Sequence, residues 1–317
     1  MSTRERGPAV PTRAPAPLPG VLTLCRKRLR SWSIRLRRPA GGAVHHPYRE
    51  LPWRTCMTVD TADLVAETPY IWRARRDGHR HRLICFPHAG AGAGAYTEWA
   101  ALLPPETELV AVQLPGRQNR IAEEPFTEVA PLVRVLTQAL RPVLEGPFSF
   151  FGHSGGAILA FELARVLRDR GGPQPAHLFL SAQSAPGSRE GIRQLHHLSD
   201  EELTAEVVRL GGIEAEIAED EDVMDALLTT LRADFTLWEN HRIAPADPLD
   251  VPITVLSGDS DPRAPLHTLD AWREQTTARF DVRRYPGGHF YFLGRAAELT
   301  GFISQTLLAP QMAGRTS

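Results

Sequence analysis

Short apolar runs alternate with segments of helical periodicity from about residue 70 onward. Runs of strand character lie at Arg82–Pro87, Glu108–Gln113, Phe148–Phe151, Ala176–Ser181, Val251–Ser257 and Phe280–Tyr285. Several are apolar at nearly every position, which is how a strand buried on both faces reads. Between them lie polar and apolar residues spaced for amphipathic helices. The pattern predicts an α/β domain with a mainly parallel sheet flanked by helices. One interval breaks the alternation: Ser184–Ala246 carries helical patterns and no clear strand. Within it, Leu198–Leu210 is predicted as a helix, with Ser199 as N-cap and Glu202 three residues on. Asp222–Trp238 is predicted as another, with Met224, Leu227, Leu228, Leu231, Phe235 and Trp238 on or near one apolar face.

The pattern before residue 58 is different. Gly7–Gly20 is proline-rich, and Cys25–Arg38 alternates arginine with Leu, Trp and Ile. Residues 1–57 are expected to be a disordered extension, or an upstream stretch read from too early a start with Met57 near the true one. The folded domain is expected over 58–317. A basic amphipathic helix for a surface or partner is the alternative for Cys25–Arg38. Val21–Cys25 is too short for a signal-peptide core.

Composition narrows the function. In 317 residues the 36 basic and 37 acidic side chains nearly cancel, to a formal net charge of −1. A general nucleic-acid binder is therefore not expected. Lys27 is the only lysine. Cys25, Cys56 and Cys85 have neither disulfide nor metal spacing, which fits a reducing, cytoplasmic setting. No apolar run approaches the roughly 20 residues of a membrane span, so no membrane partner is expected. The acid-rich stretch Glu214–Asp222 is read as a solvated loop.

Candidate chemistry sits at Phe148–Leu167, FSFFGHSGGAILAFELARVL. An apolar strand runs into Gly152-His153-Ser154-Gly155-Gly156 and then a helix, the context in which G-x-S-x-G presents a nucleophilic serine. The turn is sharp, so a Cβ at its flanking glycines would strike strand or helix. A serine hydroxyl needs a base to take its proton, and in this chain order an acid and then a histidine should follow. The run ending at Ser257 opens into Gly258-Asp259-Ser260-Asp261-Pro262, and the run ending at Tyr285 into Pro286-Gly287-Gly288-His289. Each group thus lies beyond the carboxyl end of a strand, where open α/β sheets gather catalytic groups. The residues leave both Asp259 and Asp261 as candidate acids. An oxyanion hole would draw one N–H from Gly155 and one from the small-residue loop after Arg82–Pro87, where Ala89 is the expected donor. That loop is not a P-loop, since no Gly-Lys-Ser/Thr follows.

Taken together, these segments resemble the stand-alone type II thioesterases that accompany polyketide synthases and non-ribosomal peptide synthetases. The likeness covers about Tyr70–Leu308 and includes FPHAG (Phe86–Gly90), QLPGR (Gln113–Arg117), GHSGGAILAFELA (Gly152–Ala164), HLSDEEL (His197–Leu203), LGG (Leu210–Gly212), LRADF (Leu231–Phe235), GDSDP (Gly258–Pro262) and GGHFYF (Gly287–Phe292). It implies an α/β-hydrolase fold, with Ser154, Asp261 and His289 as a triad and Ala89 and Gly155 as oxyanion donors. It also implies a substrate acyl or aminoacyl group on the phosphopantetheine arm of an acyl or peptidyl carrier protein. No metal or organic cofactor is required. In this fold the insertion at about 184–246 forms a lid, and Leu228, Leu231 and Phe235 are its candidate substrate-binding residues. The alternatives are a small-molecule esterase or acyltransferase of the same fold, or a non-catalytic hydrolase-fold partner of a synthase. Three positions depart from the family pattern: Gly155 where a methionine is frequent, Gln118 where an acid is frequent, and His241 where an aromatic residue is expected.

Overall fold

The computed structural model describes residues 63–188 and 192–308. The expectation for residues 1–57 falls outside them. Eight strands form one sheet: β1 (Val65–Ala66), β2 (Ile71–Ala74), β3 (His81–Phe86), β4 (Thr107–Val112), β5 (Phe148–His153), β6 (Leu178–Ser181), β7 (Ile253–Gly258) and β8 (Phe280–Tyr285). Their order is β1-β2-β4-β3-β5-β6-β7-β8. The six strands from β3 onward pair in parallel, while β1–β2 and β2–β4 are antiparallel. All six expected strands are present, shifted by at most two residues at either end.

Both faces of the sheet are covered. Along β3, Ile84 and Phe86 point to one side and Leu83 and Cys85 to the other, and all are fully buried. The first side packs on α2 (Val129–Ala139) and α3 (Gly155–Asp169), through Leu132, Leu136, Leu159 and Leu163. The second packs on α1 (Thr97–Leu102) and α7 (Ala296–Leu308), through Trp99, Leu299 and Ile303. A period-2 strand with apolar residues on both faces reads as an unbroken apolar run.

The antiparallel edge is less apolar in sequence. Arg73 of β2 pairs with Glu108 at 2.9 Å, and Glu108 also accepts the Arg82 Nε–H at 2.9 Å. A carboxylate buried in a strand is tolerated because two guanidiniums satisfy it.

The strandless interval holds α4 (Asp200–Leu210), α5 (Ala215–Ala218) and α6 (Glu221–Asn240). The Ser199 side chain accepts the Glu202 N–H and the Glu202 side chain accepts the Ser199 N–H, each at 3.2 Å, closing the expected capping box. Gly211 in the left-handed conformation (φ 83°) ends α4. The acid-rich stretch read as a loop contains the single turn α5, which buries none of its residues. Helices α4 and α6 meet through Leu203, Val207, Met224, Leu228, Leu231 and Phe235 in a cluster separate from the two cores beneath the sheet helices.

Strand order reverses at β3, which is flanked by β4 on one side and β5 on the other. Chain connections leave in opposite directions there and open a crevice at the carboxyl ends. The loop after β3 and the turn after β5 face that crevice.

Candidate active site

Ser154 occupies the expected turn between β5 and α3, with φ 55° and ψ −122°. A positive φ is costly for a residue with a Cβ and persists only where the surroundings over-determine it. Here Ser154 N–H donates to Ser181 O at 2.8 Å and Ala157 N–H to Ser154 O at 2.9 Å. A Cβ on Gly152 would lie 2.2 Å from Gly156 O, and one on Gly156 would lie 2.2 Å from Phe86 O. Both contacts are with backbone, so these two glycines are obligatory. The second also shows how closely the start of α3 presses on the end of β3.

His289 Nε2 is 3.0 Å from Ser154 Oγ, and its Nδ1 is 3.0 and 2.9 Å from the two Asp261 oxygens. Asp261 Oδ1 also accepts the Arg263 N–H at 2.8 Å. Asp261 and His289 are both buried. The acid and histidine turns are held together by close backbone approach: a Cβ on Gly258 would strike Gly288 O and Gly287 O at 2.2 and 2.3 Å. Asp259 is turned away from the imidazole. It accepts the Gly287 N–H at 3.1 Å and the Ser260 hydroxyl at 2.9 Å, and so ties the two turns.

Two further histidines surround this group and stay neutral. His153, beneath Ser154, shares a hydrogen bond with Ser181 Oγ (2.9 Å), which meets the Tyr291 hydroxyl at 2.7 Å. Burial pushes its pKa well below the ordinary imidazole range, and the nearby His289 and His88 rings add to this. His88 is lowered to about 3 by desolvation first, then by His289 and Arg117. The His153 and His88 rings therefore add no positive charge beside Ser154.

The loop carrying Ala89 is anchored from outside itself. Gly90 N–H donates to Asp234 Oδ2 at 2.8 Å, and Asp234 forms a bidentate pair with Arg117 at 2.6 and 2.9 Å. Asp234 and Arg117 are only 2% and 4% exposed. Arg117 Nη1 also donates to Ala91 O, and Gln113 Oε1 accepts the Ala93 N–H at 2.7 Å. Asp234 stands on α6, three residues after Leu231 and four before Trp238. It therefore takes a position in the apolar stripe, and a lone carboxylate there implies a buried partner. Sequence reasoning missed Asp234 and Arg117 as site residues, although both lie in the motifs LRADF and QLPGR. Gln118 packs its amide on the same loop, accepting the Gly94 N–H at 3.3 Å. His241 Nε2 bonds Glu162 Oε1 at 2.8 Å, away from the triad.

Leu228, Leu231 and Phe235 sit in the α4–α6 cluster, against which Ala89 and Phe290 also pack. Leu231 lies 2.8 Å from where a Cβ on Gly90 would be. A cavity of about 340 Å³ opens nearby, lined by Ile158, Gln183, Ser184, Glu239, His241 and Ile243 among others, and not by those three. Glu239 accepts from Leu195 N–H, His196 and Arg263, the last at 2.8 Å. Burial pushes the Glu239 carboxyl up, but His196 and Arg263 outweigh it and hold it below the ordinary range. One residue thus links α6 to the turn that carries Asp261.

The comparisons with known proteins decide the family. The Thioesterase domain family matches residues 81–307. The chain belongs to the thioesterase domain family. It is 38% identical over 234 residues to gramicidin S biosynthesis protein GrsT of Aneurinibacillus migulanus, covering 73% of this chain and 91% of that protein. It is 39% identical over 228 residues to thioesterase PikA5 of Streptomyces venezuelae, covering 72% and 81%. Among solved structures, the type II thioesterase BorB from the borrelidin biosynthetic cluster matches with a TM-score of 0.70 and 38% identity, over 76% of this chain and 98% of that one. This thioesterase therefore has the α/β-hydrolase fold and is a thioester hydrolase of the serine type. Among its described residues, no helix is long and apolar enough to cross a membrane.

Proposed function

We propose that this thioesterase removes acyl or aminoacyl groups from the phosphopantetheine arm of carrier proteins in polyketide or non-ribosomal peptide assembly, acting in trans to edit or release them. The observation that carries the reading is the continuous relay Ser154 Oγ–His289–Asp261 at 2.9–3.0 Å, in a chain that aligns along most of GrsT and BorB. Ser154 is the nucleophile. His289 takes its proton through Nε2 while Oγ attacks the thioester carbonyl carbon. Asp261 holds the imidazole with Nδ1–H toward itself and stabilises the imidazolium that forms.

The tetrahedral oxyanion is received by the N–H groups of Ala89 and Gly155. Each stands at the carboxyl end of one of two adjacent parallel strands, β3 and β5, which pair Phe86 with Gly152. One such donor contributes about 10²–10³ in rate. Collapse of the intermediate breaks the C–S bond, and the thiol leaves with the proton His289 carries. Because a thiolate is a good leaving group, little acid assistance is needed. A water then gives its proton to His289 and attacks the acyl-Ser154 ester, releasing the carboxylic acid and restoring the serine.

The α4–α6 insertion roofs this site, and Leu228, Leu231 and Phe235 shape the space above Ala89. Their packing with Ala89 and Phe290 supports that placement. The reading is tested by comparing kcat/KM for an acyl-loaded carrier protein with that for a short free oxyester of the same acyl group. Strong preference for the carrier is expected; equal rates would favour a small-molecule esterase.

A further inference from the structure

The glycine at 155 has no backbone reason to be a glycine. Gly152 and Gly156 are forced by backbone atoms 2.2 Å from their missing Cβ positions. Gly155, the first residue of α3, instead faces a side chain. The three atoms nearest its missing Cβ are Nε1, Cε2 and Cδ1 of Trp238, at 2.2, 2.3 and 2.5 Å. No β-carbon can share that volume with the indole.

Trp238 comes from the carboxyl-terminal part of α6 and is buried in the same cluster as Ile158 and Ala157 of α3. The indole therefore lies on the Cα of the residue that follows Ser154. The acyl carbon attacked by Ser154 must sit within hydrogen-bond reach of the Gly155 N–H, so the indole borders the first atoms of the acyl group. The cavity of about 340 Å³ is lined by neighbours of Gly155 and Trp238 rather than by the indole itself. Ile158, three residues beyond Gly155 on the same helix face, lines that cavity, as does Glu239, which follows Trp238 directly.

We infer that Trp238 is the specificity-determining wall between Ser154 and the cavity beside α3, and that Gly155 is present because the indole occupies the space of its Cβ. The inference rests on the thioesterase reading and adds what limits the acyl group. With the indole in place, an acyl chain starting at Ser154 is stopped short of the cavity. Shortening the side chain joins the two spaces and admits longer chains.

The test uses acetyl, hexanoyl and decanoyl N-acetylcysteamine thioesters with the full chain and its W238A, W238F, G155A and G155A/W238A variants, melting temperatures being recorded for each. Tryptophan truncation should raise the decanoyl-to-acetyl ratio of kcat/KM by about tenfold or more, the scale of discrimination an apolar pocket gives. G155A should lower kcat for every chain length, because the new methyl displaces either the indole or the donor N–H. W238A should restore much of that loss.

A ratio within twofold of wild type in folded W238A overturns the inference. So does a G155A/W238A double variant no more active than G155A. If W238A fails to fold, W238F and G155A/W238F carry the same two comparisons. A wild-type protein that hydrolyses none of these thioesters and no acyl-carrier defeats the proposed function itself. An active wild type with unchanged ratios defeats only the role of Trp238.

Discussion

Asp234, in the middle of helix α6, accepts the N–H of Gly90 at 2.8 Å, although 144 residues separate them in the chain. Gly90 follows Ala89, the proposed oxyanion donor, so the insertion anchors the loop that carries it. Arg117 completes the arrangement by neutralising Asp234 and bonding Ala91 O. A preorganised donor acts only if its backbone does not move when charge appears, and this pair supplies that rigidity from outside the loop.

Replacing Asp234 with Leu should therefore affect both stability and catalysis. It leaves a buried guanidinium without its partner, which destabilises by about 3–5 kcal/mol. Below the lowered melting temperature, kcat should fall by up to about 10²-fold as Ala89 loses its position. KM should change much less. Thermal melts and steady-state kinetics on acyl thioesters check both parts, and an unchanged kcat in the folded variant would detach Asp234 from the oxyanion loop.

The two aspartates of the GDSDP turn should separate cleanly. Asp261→Asn removes the acceptor of the His289 Nδ1–H and disfavours the productive tautomer, a change worth up to about 10⁴ in kcat in a comparable triad. Asp259→Asn disturbs only an exposed tie between two turns and should cost less than tenfold by the ordinary scale of surface substitutions. The ranking of kcat for these variants is the check, and its reversal would transfer the role to Asp259.

Several buried histidines make the fold acid-sensitive. Burial lowers His81 and His177 to about 4 and, with its charged neighbours, His88 to about 3. Unfolded, each regains an ordinary value near 6.5. Their folded values are depressed, so below about 6.5 the unfolded chain binds more protons and stability falls as pH falls. Each group contributes a slope of about 1.4 kcal/mol per pH unit between its unfolded and folded values. Urea midpoints should fall between pH 6.5 and 4. His81→Gln and His177→Gln should flatten the lower part of the curve, and a midpoint independent of pH there would contradict the assignment.

Truncations in the insertion should sort by what each side chain touches. Leu231→Ala empties a contact against Gly90 and should destabilise by about 2–5 kcal/mol. Leu228 and Phe235, each 8% exposed, should in addition alter the ranking of acyl chain lengths when truncated. Melting temperatures set beside kcat/KM across an acyl series check this. If none of the three changes the ranking, the cluster is structural only.

Much of this was legible in the chain because the signals are local. Apolar runs buried on both faces mark β3 to β7, and each reacting residue follows its strand within a few positions. Glu202 three residues after Ser199 likewise announces the start of α4. What escaped notice depends on distant partners. Strand β2 carries Arg73, whose place at the edge makes sense only beside Glu108. Asp234 stands in the apolar stripe of α6, which implies a buried partner, but its partners, Arg117 and Gly90, lie far away in the chain. The glycine at 155 reads as part of a turn motif, yet its constraint is the Trp238 indole, 83 positions away. The choice between Asp259 and Asp261 also needed the imidazole in place, since both belong to one five-residue turn.

The proposed attack of Ser154 on a carrier-bound thioester is tested most directly by single-turnover hydrolysis of an acyl-loaded carrier protein by wild type and Ser154→Ala. Deleting one member of a cooperating triad costs about 10⁴–10⁶ in rate. The wild type should release free acid and holo-carrier rapidly, while the folded variant stays at the background rate. A folded Ser154→Ala protein that clears the carrier at a rate near that of wild type would rule out Ser154 as the nucleophile.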